Sequence, residues 1–228
     1  MTTVSMHQSQ YLPWPPYFRK IALSDIFVLM DNVQYQNNGV QNRNRIRQKS
    51  SDFWITIPVS RGLSDTIEDK LLSDSRWPAK HWNSLKGAYA KAPYWHEYSE
   101  ELEAIYLGQT YDRLGAINDR LFFFFIERLG IQTKIVRLSE LQIEGRKSNL
   151  VLETCLKLNA DIYLSGTGSL NYLDEGSFTQ NNVSVRYLRS NPPSYTQFHG
   201  TFLSGLSMID MMMNVSKDEI HSYLYHTS

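Results

Sequence analysis

The sequence has little of what marks several common classes of protein. It holds a single cysteine, Cys155, in 228 residues, which excludes an intrachain disulfide framework and a thiol-rich zinc site and fits a reducing compartment. Lysine plus arginine and aspartate plus glutamate number 23 each, so no overall field attracts nucleic acid or acidic membranes. We therefore expect no nucleic-acid partner, and any anion site must be local.

Long hydrophobic runs are also missing. No window approaches the length of a membrane-spanning helix, and the opening "MTTVSMHQS" lacks the charged and apolar regions of a signal peptide. The most apolar stretch, "RLFFFFIERLG", is short and is bracketed by Arg120 and Glu127, which is typical of a buried helix. The sequence thus predicts a cytoplasmic protein whose 42% hydrophobic content can form a substantial core.

The chain alternates between strand-like and helix-like stretches. Residues 2–6 and 25–31 form apolar runs typical of β-strands, and Phe18, Ile21 and Ala22 lie between them at helical spacing. This pattern predicts a β–α–β unit whose strands are parallel neighbours. The same rhythm returns later, with strands predicted at 132–141, 160–166 and 183–188 and a helix at 148–158. The fold class expected is therefore α/β, a parallel sheet flanked by helices in Rossmann-like layers.

Two further features interrupt this rhythm. Residues 53–59 alternate as in a half-exposed strand, and we expect them to pair with 66–72 in a small β-hairpin. Between about 76 and 130 the pattern is mostly helical. We find no linker composition, so we predict one α/β domain over 1–228 with a mostly helical insertion at about 76–130.

Polar side chains follow the first predicted strand. In open α/β sheets ligands bind at the carboxyl ends of the strands, and His7, Gln8, Gln10 and Tyr11 are expected there. Histidine titrates near neutral pH, so His7 can serve as a general base or an anion-binding donor. The alternative is that it only forms a hydrogen bond with a neighbouring loop.

A second group follows the next strand. Asp31 closes it, a position where a carboxylate can orient a catalytic histidine, bind a sugar hydroxyl or cap a helix, and Gln34 comes soon after. Asn42, Arg43 and Asn44 then place amides beside a guanidinium, the groups suited to pyrophosphate, carboxylate or sugar hydroxyls. A solvated basic turn is the alternative for this segment.

A third group follows the predicted strand at 160–166. Ser165, Gly166 and Gly168 form a glycine-containing loop whose backbone N–H groups can approach a phosphate. A tight strand–helix turn is equally compatible, since the Walker lysine and the full dinucleotide fingerprint are missing. Because the carboxyl ends of parallel strands share one edge, we expect the three groups to line one pocket, with His7 and Asp31 as catalytic residues.

The remaining candidates indicate no metal site and no particular cofactor. Cys155 lies among leucines on a predicted helix, which favours a core thiol over a nucleophile. His81 and His96 have no partner ligands at metal-binding spacing.

The opening segment "MHQSQYLPWPPYFRKIALSDIFVLMDNVQYQNNGVQNRNRI" resembles the WbqC-like family. Members of this family begin with a similar His-Gln-x-x-Tyr-Leu-Pro-Trp-x-x-Tyr-Phe-x-Lys-Ile segment, followed by an Asp, a Val-Gln-Tyr and an Asn-Arg-Asn. The likeness continues through "FWITIPV", "WPAKHWNSLKGAYAKAPYW", "YLSGTGSLNYL" and a late Ser-x-x-Asp at Ser207 and Asp210. Ser9 and the Pro15–Pro16 pair depart from the usual pattern, but neither replaces a side chain that we assign to chemistry.

The resemblance implies a role in O-antigen, lipopolysaccharide or other surface-polysaccharide biosynthesis, with a nucleotide-linked amino sugar as the small-molecule substrate. One hypothesis is a transferase that moves an acyl or aminoacyl group to the sugar amine, with His7 as base and Asp31 orienting it. A second is an ATP-dependent ligase or nucleotidyl transferase of α/β type. A third is a non-catalytic scaffold or ligand-binding module in a polysaccharide assembly complex. Its contact surface would consist of Trp77, Trp82, Tyr94 and Trp95.

Overall fold

The computed structural model describes residues 1–62, 65–189 and 191–226. Its strands are Thr3–Gln8 (β1), Ile26–Met30 (β2), Arg43–Gln48 (β3), Ser51–Thr56 (β4), Lys134–Arg137 (β5), Ile162–Gly166 (β6) and Ser184–Leu188 (β7). Its helices are Pro15–Ala22 (α1), Trp77–Tyr89 (α2), Trp95–Leu107 (α3), Leu114–Arg128 (α4), Leu138–Leu141 (α5), Lys147–Lys157 (α6), Glu175–Gln180 (α7), Met208–Asn214 (α8) and Lys217–Tyr225 (α9). A short 3-10 turn, Thr167–Ser169, follows β6.

The main sheet has five parallel strands in the order β5-β2-β1-β6-β7. β1 and β2 pair in parallel from Val4–Ile26 to Gln8–Met30, which confirms the predicted β–α–β unit. The helix between them begins with two prolines, whose fixed φ suits the first helical turn and whose missing N–H costs nothing there. The predicted α/β fold class is therefore confirmed.

Hydrophobic side chains cover both faces of this sheet because successive strand residues point to opposite sides. Phe27 and Leu29 of β2 belong to a large cluster that also contains the buried faces of α1–α4, α8 and α9. Val28, on the opposite face, joins a second cluster formed with α6 and α7. Cys155 lies in the second cluster with no exposed surface, and burial raises the pKa of its thiol to about 12. The prediction of a buried core thiol is confirmed.

The small hairpin exists, but its predicted partner strand is wrong. β4 pairs antiparallel with β3, from Arg43–Thr56 to Gln48–Ser51, whereas residues 66–72 form only isolated bridges such as Val59–Leu72. Five of the six residues in the "RNRIRQ" of β3 have basic or amide side chains, which made this strand resemble a polar turn. Alternation identifies a strand but does not choose its neighbour.

The aromatic residues of the helical segment are mostly core. Trp77, Trp82 and Trp95 are at most 6% exposed, Tyr94 is half-buried, and the rings of Trp82 and Trp95 stack 5.3 Å apart. The contact surface suggested by the scaffold hypothesis is therefore not present on the outside of the molecule. None of the helices in the described ranges has the length and apolar character needed to cross a membrane.

Candidate functional site

The order of the strands creates a switch point beside β1. From β1 the chain builds outward to β2 and β5, and it then returns to the other side of β1 to add β6 and β7. The β1–β2 ladder continues to Gln8–Met30, whereas the β1–β6 register holds Thr3–Ile162 and Val4–Tyr163. Ligands of open α/β sheets bind in the crevice at such a point. We call the space between the carboxyl halves of β1 and β6 the switch crevice.

His7 lies within β1, next to its last residue, beside the switch crevice. Its Nδ1 lies 3.1 Å from the side-chain amide of Gln10 and 3.4 Å from the Gln8 carbonyl, so a ring proton on Nδ1 can donate to that carbonyl and leave Nε2 as the acceptor. The ring of Tyr17 meets the imidazole edge-on at a centroid distance of 5.2 Å. Burial and the positive charge of Lys20 lower the pKa of His7 to about 3. His7 is thus a neutral, oriented imidazole at physiological pH.

The hairpin side of the molecule reaches the same edge of the sheet. Gln41 donates to the side-chain oxygen of Gln8 at 2.8 Å, and the Tyr11 N–H donates to the Val40 carbonyl at 3.2 Å. Our sequence analysis missed Gln41, although it stands directly before Asn42 in the "QNRN" run. Gln41 fixes the amide of Gln8 at the end of β1.

Tyr11 is a core residue. Its side chain has no exposed surface, and its hydroxyl lies 2.8 Å from Nδ1 of His81 and 2.7 Å from the hydroxyl of Tyr106. The ring therefore anchors the loop after β1 to the helices, away from the switch crevice. A phenol is one of the few large side chains that can be buried this way with its polar group satisfied.

Asp31 does not orient His7. Its carboxylate accepts hydrogen bonds from the N–H and hydroxyl of Ser139, at 3.1 and 2.6 Å, and lies 3.6 Å from the guanidinium of Arg137. It thus caps the first turn of α5, which is the helix-cap alternative for this position. Gln34, nearby in the chain, is exposed and forms an isolated bridge with Thr66.

The Asn42–Arg43–Asn44 segment does not present its side chains together. The amide of Asn42 donates to the Ile57 carbonyl at 2.8 Å and that of Asn44 to the Leu12 carbonyl at 2.6 Å, and both amides are buried. The Arg43 guanidinium instead stacks over Trp54, 4.6 Å from the ring centroid. Successive side chains alternate along a strand, so a single ligand cannot contact all three.

We expect Asn44→Ala to lower the free energy of unfolding by about 1–3 kcal/mol, because the buried Leu12 carbonyl loses its donor. Leu12 has a positive φ of 47°, so this hydrogen bond also holds a strained loop beside the site. Chemical denaturation measures the change. Arg43→Ala, on the opposite face of the same strand, is the control and should cost less than about 1 kcal/mol. Equal losses would contradict the assignment.

The loop after β6 borders the other side of the switch crevice. The hydroxyls of Ser165 and Ser169 lie 2.5 Å apart, and Ser169 also donates to the Gly166 carbonyl, so the serines hold a tight turn. Gly166 has an ordinary φ of −83°. A Cβ built at Gly166 or Gly168 meets no atom within 4 Å. Neither packing nor backbone conformation demands these glycines, and space is open beside both.

The two cavities described next lie away from the residues discussed above, and no metal-binding cluster is found among the described residues. A cavity of ≈ 460 Å³ lies between residues 142–144 and α6, and one of ≈ 320 Å³ lies between the β3–β4 turn and residues 199–201. Neither is lined by His7 or by the loop after β6. In the part of the chain that the structure describes, no group of three or more His, Cys, Asp or Glu side chains could hold a metal ion.

Comparison with known proteins agrees with the motif-based assignment. The model of the WbqC-like protein family matches residues 8–222. A protein of Mycobacterium tuberculosis, "Uncharacterized protein Rv1507c", is 30% identical over 221 residues, which cover 96% of each chain. No solved structure matches. On the extent of these matches, the chain belongs to the WbqC-like protein family.

Proposed function

We propose that this protein binds a nucleotide-activated amino sugar at the switch crevice and transfers an acyl or aminoacyl group to the sugar amine in surface-polysaccharide biosynthesis. The observation that carries the proposal is the placement of a neutral, oriented histidine near the carboxyl end of β1, beside β6, whose following loop has open space next to its glycines. The histidine supplies proton transfer, and the loop leaves room for the substrate to approach the backbone. The choice of substrate class follows what the resemblance to the WbqC-like family implies.

His7 is the proton acceptor in this proposal. As the new C–N bond forms, the bond between the acyl carbon and its donor breaks, and the nitrogen loses a proton to the neutral imidazole. The protonated imidazole can then give that proton to the departing donor group. A base works best with a pKa near the working pH, whereas the pKa of His7 is about 3 in the free protein. A bound phosphate would raise that pKa because it offsets the nearby Lys20 charge. Gln10, and not Asp31, keeps the ring in place.

We expect His7→Ala to spare substrate binding and to lower turnover by about 10²–10⁴-fold, the usual contribution of a general base. Calorimetric titration with nucleotide amino sugars measures binding. Turnover is measured by mass spectrometry of the nucleotide sugar after incubation with acyl donors. His96→Ala, which removes an exposed histidine on α3, is the control and should leave both unchanged. A loss of binding as large as the loss of turnover would contradict a base and indicate a substrate ligand.

An ATP-dependent ligase or nucleotidyl transferase is the second candidate, because the strand order on either side of β1 is that of mononucleotide-binding sheets. This support comes from the fold alone. A thermal-shift panel separates the two candidates, since a ligand stabilises the folded state that binds it. Stabilisation by nucleotide amino sugars supports the transferase, and stabilisation by ATP with magnesium alone supports the second candidate.

A further inference from the structure

Lys20 is a buried cation that the sequence analysis did not select. It lies on α1, is 5% exposed, and its ammonium donates to the Met6 carbonyl at 2.9 Å. An ammonium has three N–H donors, and within the described residues this is its one hydrogen bond.

The direction of the Met6 carbonyl shows where the Lys20 ammonium lies relative to the sheet. Backbone groups alternate along a strand: the Thr2 carbonyl accepts from Ile162 at the start of β6, and the Thr3 carbonyl accepts from Asp25 just before β2. The backbone C=O groups of even-numbered residues of β1 therefore point toward β6, and Met6 is one of these residues. Its carbonyl lies beyond the last β1–β6 pair, Val4–Tyr163. The Lys20 ammonium thus occupies the place of a strand partner inside the switch crevice.

Lys20 has fewer hydrogen-bond or ion-pair partners than the other two buried cations. Lys70, which has no exposed surface, lies 2.8 Å from a carboxylate oxygen of Asp65. Arg47 donates to several carbonyls and to the amide oxygen of Gln197. No salt bridge in the described ranges involves Lys20. Buried charges in proteins are normally paired, so an anion is the ligand that this ammonium would favour.

The surroundings also fit an anion. His7, the residue after Met6, is neutral, and the two glycines across the switch crevice leave open space. Asp31 and Asp119 pair with Arg137 at the end of β5, and Glu68 lies near the same arginine. The four-carbon stem of a lysine lets the ammonium turn from the Met6 carbonyl toward a ligand.

We propose that Lys20 binds an oxyanion in the switch crevice and that this anion is a phosphate group of the substrate. The inference deepens the proposed function, because it names the group that holds the phosphate of the nucleotide sugar. It assigns binding to a helix residue below the strand ends rather than to the Asn42–Arg43–Asn44 segment. Burial also lowers the pKa of Lys20, to about 7, as expected for an ammonium that is buried without a counter-ion.

The test is calorimetric titration of inorganic pyrophosphate into the wild-type protein and the Lys20→Met and Arg19→Met variants. Methionine keeps the length of the stem and removes the charge. Loss of a charge-assisted contact should weaken binding by about 10- to 100-fold in Lys20→Met. Arg19→Met removes one charge from the same helix, where the guanidinium contacts the His226 carbonyl near α9, and should bind as the wild type does. Equal affinities in all three, or no binding by the wild type at millimolar pyrophosphate, would overturn the proposal.

A second measurement does not depend on a variant that folds. In wild-type protein carrying ¹³C at lysine Cε, pyrophosphate should shift the Lys20 resonance and leave that of Lys70 in place, because Lys70 already has its carboxylate. A Lys20 resonance that stays unchanged at saturating pyrophosphate would refute the contact.

Titration with nucleotide amino sugars separates this inference from the proposed function. If the sugars bind equally to wild type and Lys20→Met, the transferase proposal stands and the Lys20 site fails. If pyrophosphate binding depends on Lys20 but the sugars do not bind, the anion site stands and the proposed substrate is wrong.

Discussion

The stability advantage of the Lys20→Met variant over the wild type is expected to shrink by about 2 kcal/mol between pH 7 and pH 9. Burial lowers the pKa of Lys20 from its ordinary 10.5 to about 7 in the folded protein. Between these two values the unfolded chain binds more protons than the folded one, so the free energy of unfolding of the wild type rises with pH. Below about pH 7 both states are protonated and the cost of the buried charge is constant. Methionine has no such cost.

Denaturant unfolding of both proteins across this range measures the difference. Tyrosine ionisation affects both proteins equally and cancels in the comparison. Arg19→Met controls for the loss of a positive charge from α1 and should run parallel to the wild type. A constant difference between Lys20→Met and the wild type from pH 6 to pH 9 would show that the folded-state pKa of Lys20 is not lowered.

Asp31→Ala should be among the most destabilising single substitutions at this edge of the sheet, at about 2–4 kcal/mol. The carboxylate is 3% exposed, and its removal leaves the Ser139 N–H and hydroxyl without their acceptor and Arg137 with a partner lost. If Asp31 were a catalytic group on an otherwise independent scaffold, its removal would abolish turnover at little cost in stability. Thermal and denaturant unfolding distinguish these outcomes.

Asp52→Ala is the matched control for Asp31→Ala. Asp52 also pairs with an arginine, Arg45, at 3.1 Å, but both side chains are about one-third exposed. Exposed ion pairs contribute less than about 1 kcal/mol. Similar losses in the two variants would contradict a structural role specific to Asp31.

Much of the fold could be predicted from the sequence because apolar runs and helical spacing are local signals. The sequence around β1, α1 and β2 predicts a parallel β–α–β unit, because a short amphipathic helix between two apolar strands allows few other arrangements. β3 was not predicted because its buried positions include Asn44 and Arg47, on its two faces, whose burial depends on distant acceptors. No local pattern contains those acceptors.

The sequence predicts a site at the carboxyl ends of the strands, but not which side chains face it. The rule that the carboxyl ends of parallel strands share an edge places His7 and the Gly166 loop at the same edge of the sheet. It did not tell in which direction a side chain points, and for that reason Asp31, Tyr11 and Asn44 were assigned to a ligand although the protein itself satisfies them. Lys20 was hidden for the converse reason. A lysine on an amphipathic helix ordinarily reads as a solvent-exposed residue.

Several neighbours of β1 and α1 lie far along the chain, which affects how the protein folds while the ribosome is still synthesising it. β1 pairs with β6 at Ile162, and the guanidinium of Arg19 on α1 donates to the His226 carbonyl and lies over the ring of Tyr223. A growing polypeptide emerges in order, so the central strand and its helix leave the ribosome with one side of each uncovered. Contacts of such long sequence separation form slowly, and uncovered strand edges promote aggregation. The nascent chain must therefore avoid aggregation through these uncovered surfaces until α9 is made.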